Sequence, residues 1–150
     1  MSLRSPTYAI TFAALVLAAG ATQAGKVDDA VEYREGVMNV LSWNAGHMVA
    51  MTKGEVPFDR AAFQGYAADL AAAANLNLLP GFPEDSVTED SDAKDEIWLN
   101  WKDFESDLQA LRSESAKLVE VAKDGDEAAI KSQLNATRRA CKACHDEFKQ

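Results

Sequence analysis

Apolar side chains recur at alternating four- and three-residue steps in four blocks of this chain, and glycine or proline closes each block. Residues 27–53 carry Val27, Val31, Arg34, Met38, Leu41, Ala45 and Met48 on one side of a helix, with Gly54 placed as its C-cap. A second helix is expected after the N-cap Asp59, with Phe63, Tyr66, Leu70 and Ala74 inward, ending near Leu79. The third, over 93–124, turns Ile97, Trp101, Phe104, Leu108, Leu111, Ser115, Leu118 and Ala122 to the core, and Gly125 ends it. Asp126 then caps a fourth, with the stripe Ile130, Leu134, Thr137, Cys141, Cys144 and Phe148. No stretch alternates as a half-buried strand does, so the fold class is all-α. The Pro80, Gly81 and Pro83 cluster, followed by acids and serines up to residue 92, reads as a long surface crossover. Four amphipathic helices with such connections bury their stripes most simply as an antiparallel up-down-up-down bundle.

A chain of 150 residues suits one domain. Its first 24 residues resemble a secretory signal. Arg4 supplies the positive start, residues 9–19 an apolar run, and Thr22, Gln23 and Ala24 small cleavage positions. That run is about half the ~20 residues a membrane span needs, so the mature domain is expected over 25–150 in the periplasm, with no membrane attachment. The formal charge of −9 argues against nucleic acid and anionic lipid as partners, and suits a protein that stays dispersed or meets a basic surface.

Only two cysteines occur, three residues apart near the end, which is unlike the spread of disulfide staples in small exported domains. Cys141-Lys142-Ala143-Cys144-His145 has the spacing of c-type haem attachment. On a helix, positions i, i+3 and i+4 share a face, so two thiols can meet neighbouring vinyl groups while the imidazole reaches the iron. His145 is then the metal ligand and a covalent haem c the cofactor. A redox dithiol would need a strand-to-helix junction, and a zinc site two further ligands, whereas His47 is the only other histidine and sits on another helix.

Antiparallel packing sets the end of the fourth helix level with the start of the first, where Arg34 and Met38 lie one turn apart. Arg34, on an apolar stripe, needs a counter-charge: a haem propionate, or solvent or an acid reached by its head. Met38 is a sixth ligand, a plug over an open iron position, or core packing. His47 is nine residues beyond Met38, about 13 Å along the axis, too far to ligate. Lys149, one turn past His145, either lies near the proximal face or complements the helix end. Trp43, Trp98 and Trp101 read as core or rim aromatics.

With these residues in place the chain resembles the cytochrome c′ family, the class II c-type cytochromes. The resemblance rests on Tyr33-Arg34 with Met38, Trp43-Asn44, Pro57-Phe58-Asp59, Glu96-Ile97-Trp98 and above all the run from Cys141 to Lys149. It implies a haem with His145 proximal, Arg34 near a propionate, and Met38 covering a distal face that is commonly five-coordinate; in a low-spin branch a methionine there binds the iron. Members often carry glutamine where this chain has Glu35, and arginine where it has Lys149. Many are homodimers through their first two helices. The functions implied are electron transfer with redox partner proteins and binding of NO or CO, rather than enzyme catalysis. The order of the motif also separates the chain from class I cytochromes, whose methionine ligand lies downstream of it.

Overall fold

The computed structural model describes residues 14–88 and 91–150, with side chains from residue 25 onward. The long helices are α1 (Ala14–Lys53), α2 (Arg60–Ala74), α4 (Trp101–Asp124) and α5 (Glu127–Phe148), with a single-turn α3 (Glu96–Leu99) ahead of α4. They form the expected four-helix bundle. Helices α1 and α2, α2 and α4, and α4 and α5 pack along their lengths, while α1 and α5 meet over a short stretch only. Among the described residues there is no strand, and no helix is long and apolar enough to cross a membrane.

Helix α1 starts well before residue 27 and runs unbroken through the expected cleavage position. The alanine- and leucine-rich segment there contains no proline to stop it. Residues 1–13, the first half of the expected signal, lie outside the described residues. Further along α1 the buried set drifts from the strict four-three register. Val37 and Asn44 are buried, whereas Met38 and Ala45 are half-buried, as expected when 3.6 residues per turn are read against a 3.5 repeat. Asn44 satisfies its amide by donating to the Val40 carbonyl at 2.9 Å. Trp43, expected as a core or rim aromatic, stands at the surface. It is 67% exposed, one position off the buried stripe, and meets His47 edge-on.

The caps fall where the sequence places them. Asp59 accepts from the Ala62 N–H at 3.1 Å and Asp126 from the Ala129 N–H at 2.7 Å. Gly54 takes φ +75°, the left-handed turn that ends α1. Gly125 is needed for a different reason, since a Cβ there would stand 2.6 Å from the Val121 carbonyl oxygen. Helix α2 stops at Ala74 rather than near Leu79, because its last carbonyls find partners elsewhere. Asn75 donates to the Ala71 carbonyl at 2.8 Å, and Arg112 of α4 donates to those of Ala74 and Leu76. The third expected helix is also corrected: it begins at Glu96, not 93, and breaks at Asn100. Residues 91–94 are instead tied to the end of α5 by an antiparallel bridge between Ala93 and Lys149 and a bond from the Lys94 N–H to the Phe148 carbonyl.

Phe63, Met48, Leu118 and Ile130, all at 0% exposure, centre the core. Phe63→Ala should therefore cost about 3–5 kcal/mol in denaturant unfolding, and a loss under about 1 kcal/mol would contradict this packing. Between α4 and α5, Gln133 Nε2 donates to Glu114 Oε2 at 2.7 Å and Thr137 Oγ1 to the Glu114 carbonyl at 3.2 Å. The bond from Lys117, then that from Gln133, hold the Glu114 carboxyl below its ordinary value. A lowered carboxyl pKa stabilises the fold above the unfolded value and loses that contribution as pH falls through the folded one. Glu114→Gln should accordingly flatten the fall in stability below pH ~4.5, which unfolding curves across pH 3–6 would register.

Candidate functional site

Where α1 and α5 diverge, a cavity of about 380 Å³ opens, walled by Met38 of α1, by Cys144 and His145 of α5, and by Ile97, Phe104 and Phe148. The antiparallel bundle thus brings the expected site residues together, and Arg34, Glu35 and Lys149 stand on the same lining. Cys141 is half-buried one turn back along α5, packed against the core beside Cys144. His47 takes no part. It stacks on Tyr66 at 4.7 Å, on the side of α1 that faces α2.

Burial raises both thiols, Cys144 to about 12, with Asp107, Cys141 and Glu147 adding to the rise. An activated redox pair requires the reverse, a thiol lowered by a helix N-terminus or a cation. Among the described residues no cluster of three or more His, Cys, Asp or Glu side chains is arranged to hold a metal ion. His145 is held below its ordinary value, first by burial and then by Lys149, against the opposing pull of Asp146. A neutral imidazole with a free lone pair is the form that binds a metal. Two unbonded thiols and a neutral imidazole, on one helical turn beside a cavity with both apolar and polar walls, fit a covalently held haem with its charged propionates.

Arg34 is 4% exposed, and among the described residues its head meets hydroxyls and carbonyls rather than an acid. Nη1 donates to the Gly81 carbonyl at 2.9 Å and to Ser86 Oγ at 2.7 Å. Nη2 donates to the Ser86 carbonyl at 2.6 Å and to Ser91 Oγ. These bonds use the four Nη hydrogens. Burial lowers the guanidinium's pKa, and Glu35 partly offsets this. The arginine also stacks over Phe82 at 4.9 Å.

The described part of residues 80–92 is therefore only partly the surface crossover the sequence suggests. Gly81, Phe82, Ser86 and Ser91 are buried, and Phe82, Ser91, Asp92 and Ala93 wall the cavity. Gly81 lies so close to α1 that a Cβ would stand 3.0 Å from the Tyr33 ring and 3.2 Å from Arg34 Cβ. Nothing in the local composition marks this wall, because its serines stand among acids as in any solvated loop. Only the unpartnered arginine on the α1 stripe hinted that something must fold over it. Lys149 pairs with Asp92 at 3.0 Å, which places it at the rim between the crossover and α5.

Comparison with known proteins agrees with this geometry. The family model described as cytochrome c′ matches residues 29–149. A cytochrome c′ from Halomonas halodenitrificans is 34% identical, covering 81% of this chain and 96% of its own. The solved cytochrome c prime from Shewanella frigidimarina superposes with a TM-score of 0.79 at 36% identity, over 83% of this chain and 96% of that one. A mutant of cytochrome c prime from Alcaligenes xylosoxidans, solved as a nitric oxide complex, gives 0.74 at 27% identity, over 83% and 95%. Read with the cavity between α1 and α5, these matches establish that the chain belongs to the cytochrome c′ family of c-type haem proteins.

Proposed function

We propose that the mature chain is a periplasmic electron carrier that also takes nitric oxide or carbon monoxide. It holds one haem c through Cys141 and Cys144, with His145 as the proximal iron ligand. The observation that carries this reading is the cavity itself, with Cys144 and His145 on the α5 wall and Met38 on the α1 wall. When bound, the haem supplies a one-electron iron couple and an iron position able to take a small ligand.

The chain's own residues do the rest. His145, kept neutral by burial and by Lys149, presents its lone pair. Phe82, Ile97, Phe104 and Phe148 keep water from the cavity wall, and Met38 covers the side across from His145. Arg34 holds the crossover closed over one edge and stands on the cavity lining, where its charge can attract a propionate. Beside Met38 the α1 wall carries Asn39 and Ser42, neither of them an acid or a base, and no histidine other than His145 is on the lining. That arrangement suits an electron or gas carrier rather than an enzyme, whose acid and base would stand at the reacting atoms.

Export rests on the signal-like first 24 residues. Pairing of two chains rests on the exposed stripe of α1, where Tyr33, Val40 and Trp43 are 39%, 47% and 67% exposed on one helical face. The nitric oxide complex solved for the Alcaligenes relative supports the gas-binding part.

The reduced protein is expected to show a broad, high-spin absorption spectrum and to bind carbon monoxide without first losing a protein ligand. Met38→Ala should keep that spectral type while speeding carbon monoxide binding on the order of tenfold, by opening the covered side. A sharp, split low-spin spectrum that Met38→Ala abolishes would instead make Met38 the sixth ligand and the protein an electron carrier only.

A further inference from the structure

The chain carries 24 acids, yet none falls in residues 36–54 of α1 and its end, or in residues 128–145 of α5. These two stretches hold Lys53, Lys131, Arg138, Arg139 and Lys142, five of the 15 lysines and arginines. The remainder of the chain has ten cations against 24 acids, a net of −14. The bundle places the two acid-free stretches on adjacent, antiparallel helices, with the cavity at one end of the seam between them.

Helical spacing sharpens the picture. Lys131, Arg138 and Lys142 share with His145 one flank of α5, the flank that turns toward α1. Across the seam, Gly46 and Lys53 are exposed on the matching flank of α1, whose Asn39 and Ser42 line the cavity. Among the described residues Lys131 and Arg138 are exposed and have no carboxylate within ion-pair distance. Lys142 pairs with Asp146 and Lys53 with Glu55, each acid lying just beyond its stretch. Arg138 stands close enough to Cys141 for its charge to oppose the effect of burial on that thiol.

We propose that this α1–α5 face is where the cytochrome docks an acidic redox protein, so that electrons cross beside the thioether edge at Cys141 and Cys144. The proposal rests on the electron-transfer reading above. It reverses what the whole-chain charge suggests, which is a basic partner. At physiological salt a charge is felt over about 8 Å, so a surface docked on the Cys141 side meets Lys131, Arg138 and Lys142, whereas Asp107 and Glu147 stand nearer Cys144. An extended polyanion or an anionic membrane would also meet the −14 remainder and be repelled.

The test follows oxidation of the reduced haem protein by ferricyanide. One electron leaves ferrous iron, which becomes ferric, as ferricyanide becomes ferrocyanide; no proton moves and no covalent bond forms or breaks. The rate should fall as ionic strength rises from about 10 to 200 mM, whereas oxidation by the cationic tris(phenanthroline)cobalt(III) should not. The double variant Lys131→Glu with Arg138→Glu should slow ferricyanide oxidation at low salt about tenfold, and Lys117→Glu on α4 should leave it unchanged. A ferricyanide rate that rises with salt in the unmodified protein would show that the net charge governs approach, and would overturn the docking face while leaving electron transfer intact. Failure of both reagents to oxidise the haem would overturn both. Co-sedimentation with phosphatidylglycerol vesicles at low salt would assign the face to lipid and overturn the choice of partner.

Discussion

Everything in this molecule is arranged around one turn of α5 that must present two thiols and an imidazole to a single planar group. The i, i+3, i+4 spacing does this only while the turn stays helical, so the bundle has to keep α5 intact almost to the last residue. It does so by lending neighbours to a helix end that would otherwise fray. Lys94 donates its N–H to the Phe148 carbonyl, and its ammonium reaches toward those of Asp146 and Glu147. The Gln150 N–H returns to the Asp92 carbonyl. The crossover is therefore both a wall of the cavity and the splint of the helix that carries the motif.

That double duty explains the buried arginine. A guanidinium inside an apolar stripe is costly unless its hydrogens are satisfied. Here neutral serine hydroxyls and backbone carbonyls from one segment satisfy four of them. A segment rich in proline, glycine and acid has little apolar surface of its own to bury, and Arg34 supplies the anchor that hydrophobicity does not. Among the described residues no carboxylate pairs with it, and Arg34 stands on the lining of a cavity suited to a group with anionic arms.

How much of this was legible beforehand depended on whether local rules carried the information. The α4 and α5 stripes were readable almost residue for residue, because Ile130, Leu134, Thr137 and Phe148 sit on amphipathic helices whose period is set by the backbone. The meeting of Met38 with Cys144 and His145 followed from antiparallel order and length alone. The crossover was not readable, since its burial arises from partners 47 to 57 residues away in the chain. The early stop of α2 at Ala74 was hidden for the same reason, as Arg112 caps it from 38 residues downstream. Trp43 was readable only as core or rim, and one position of rotation off the buried stripe put it outside.

The central claim is the covalent arrangement at residues 141–145, and extraction addresses it most directly. Protein matured in a host with haem-attachment machinery, precipitated with acid acetone, should retain its red pigment, and its intact mass should exceed that of the polypeptide by one haem. A colourless precipitate of unmodified mass, with both thiols still free to alkylate after unfolding, would contradict the account.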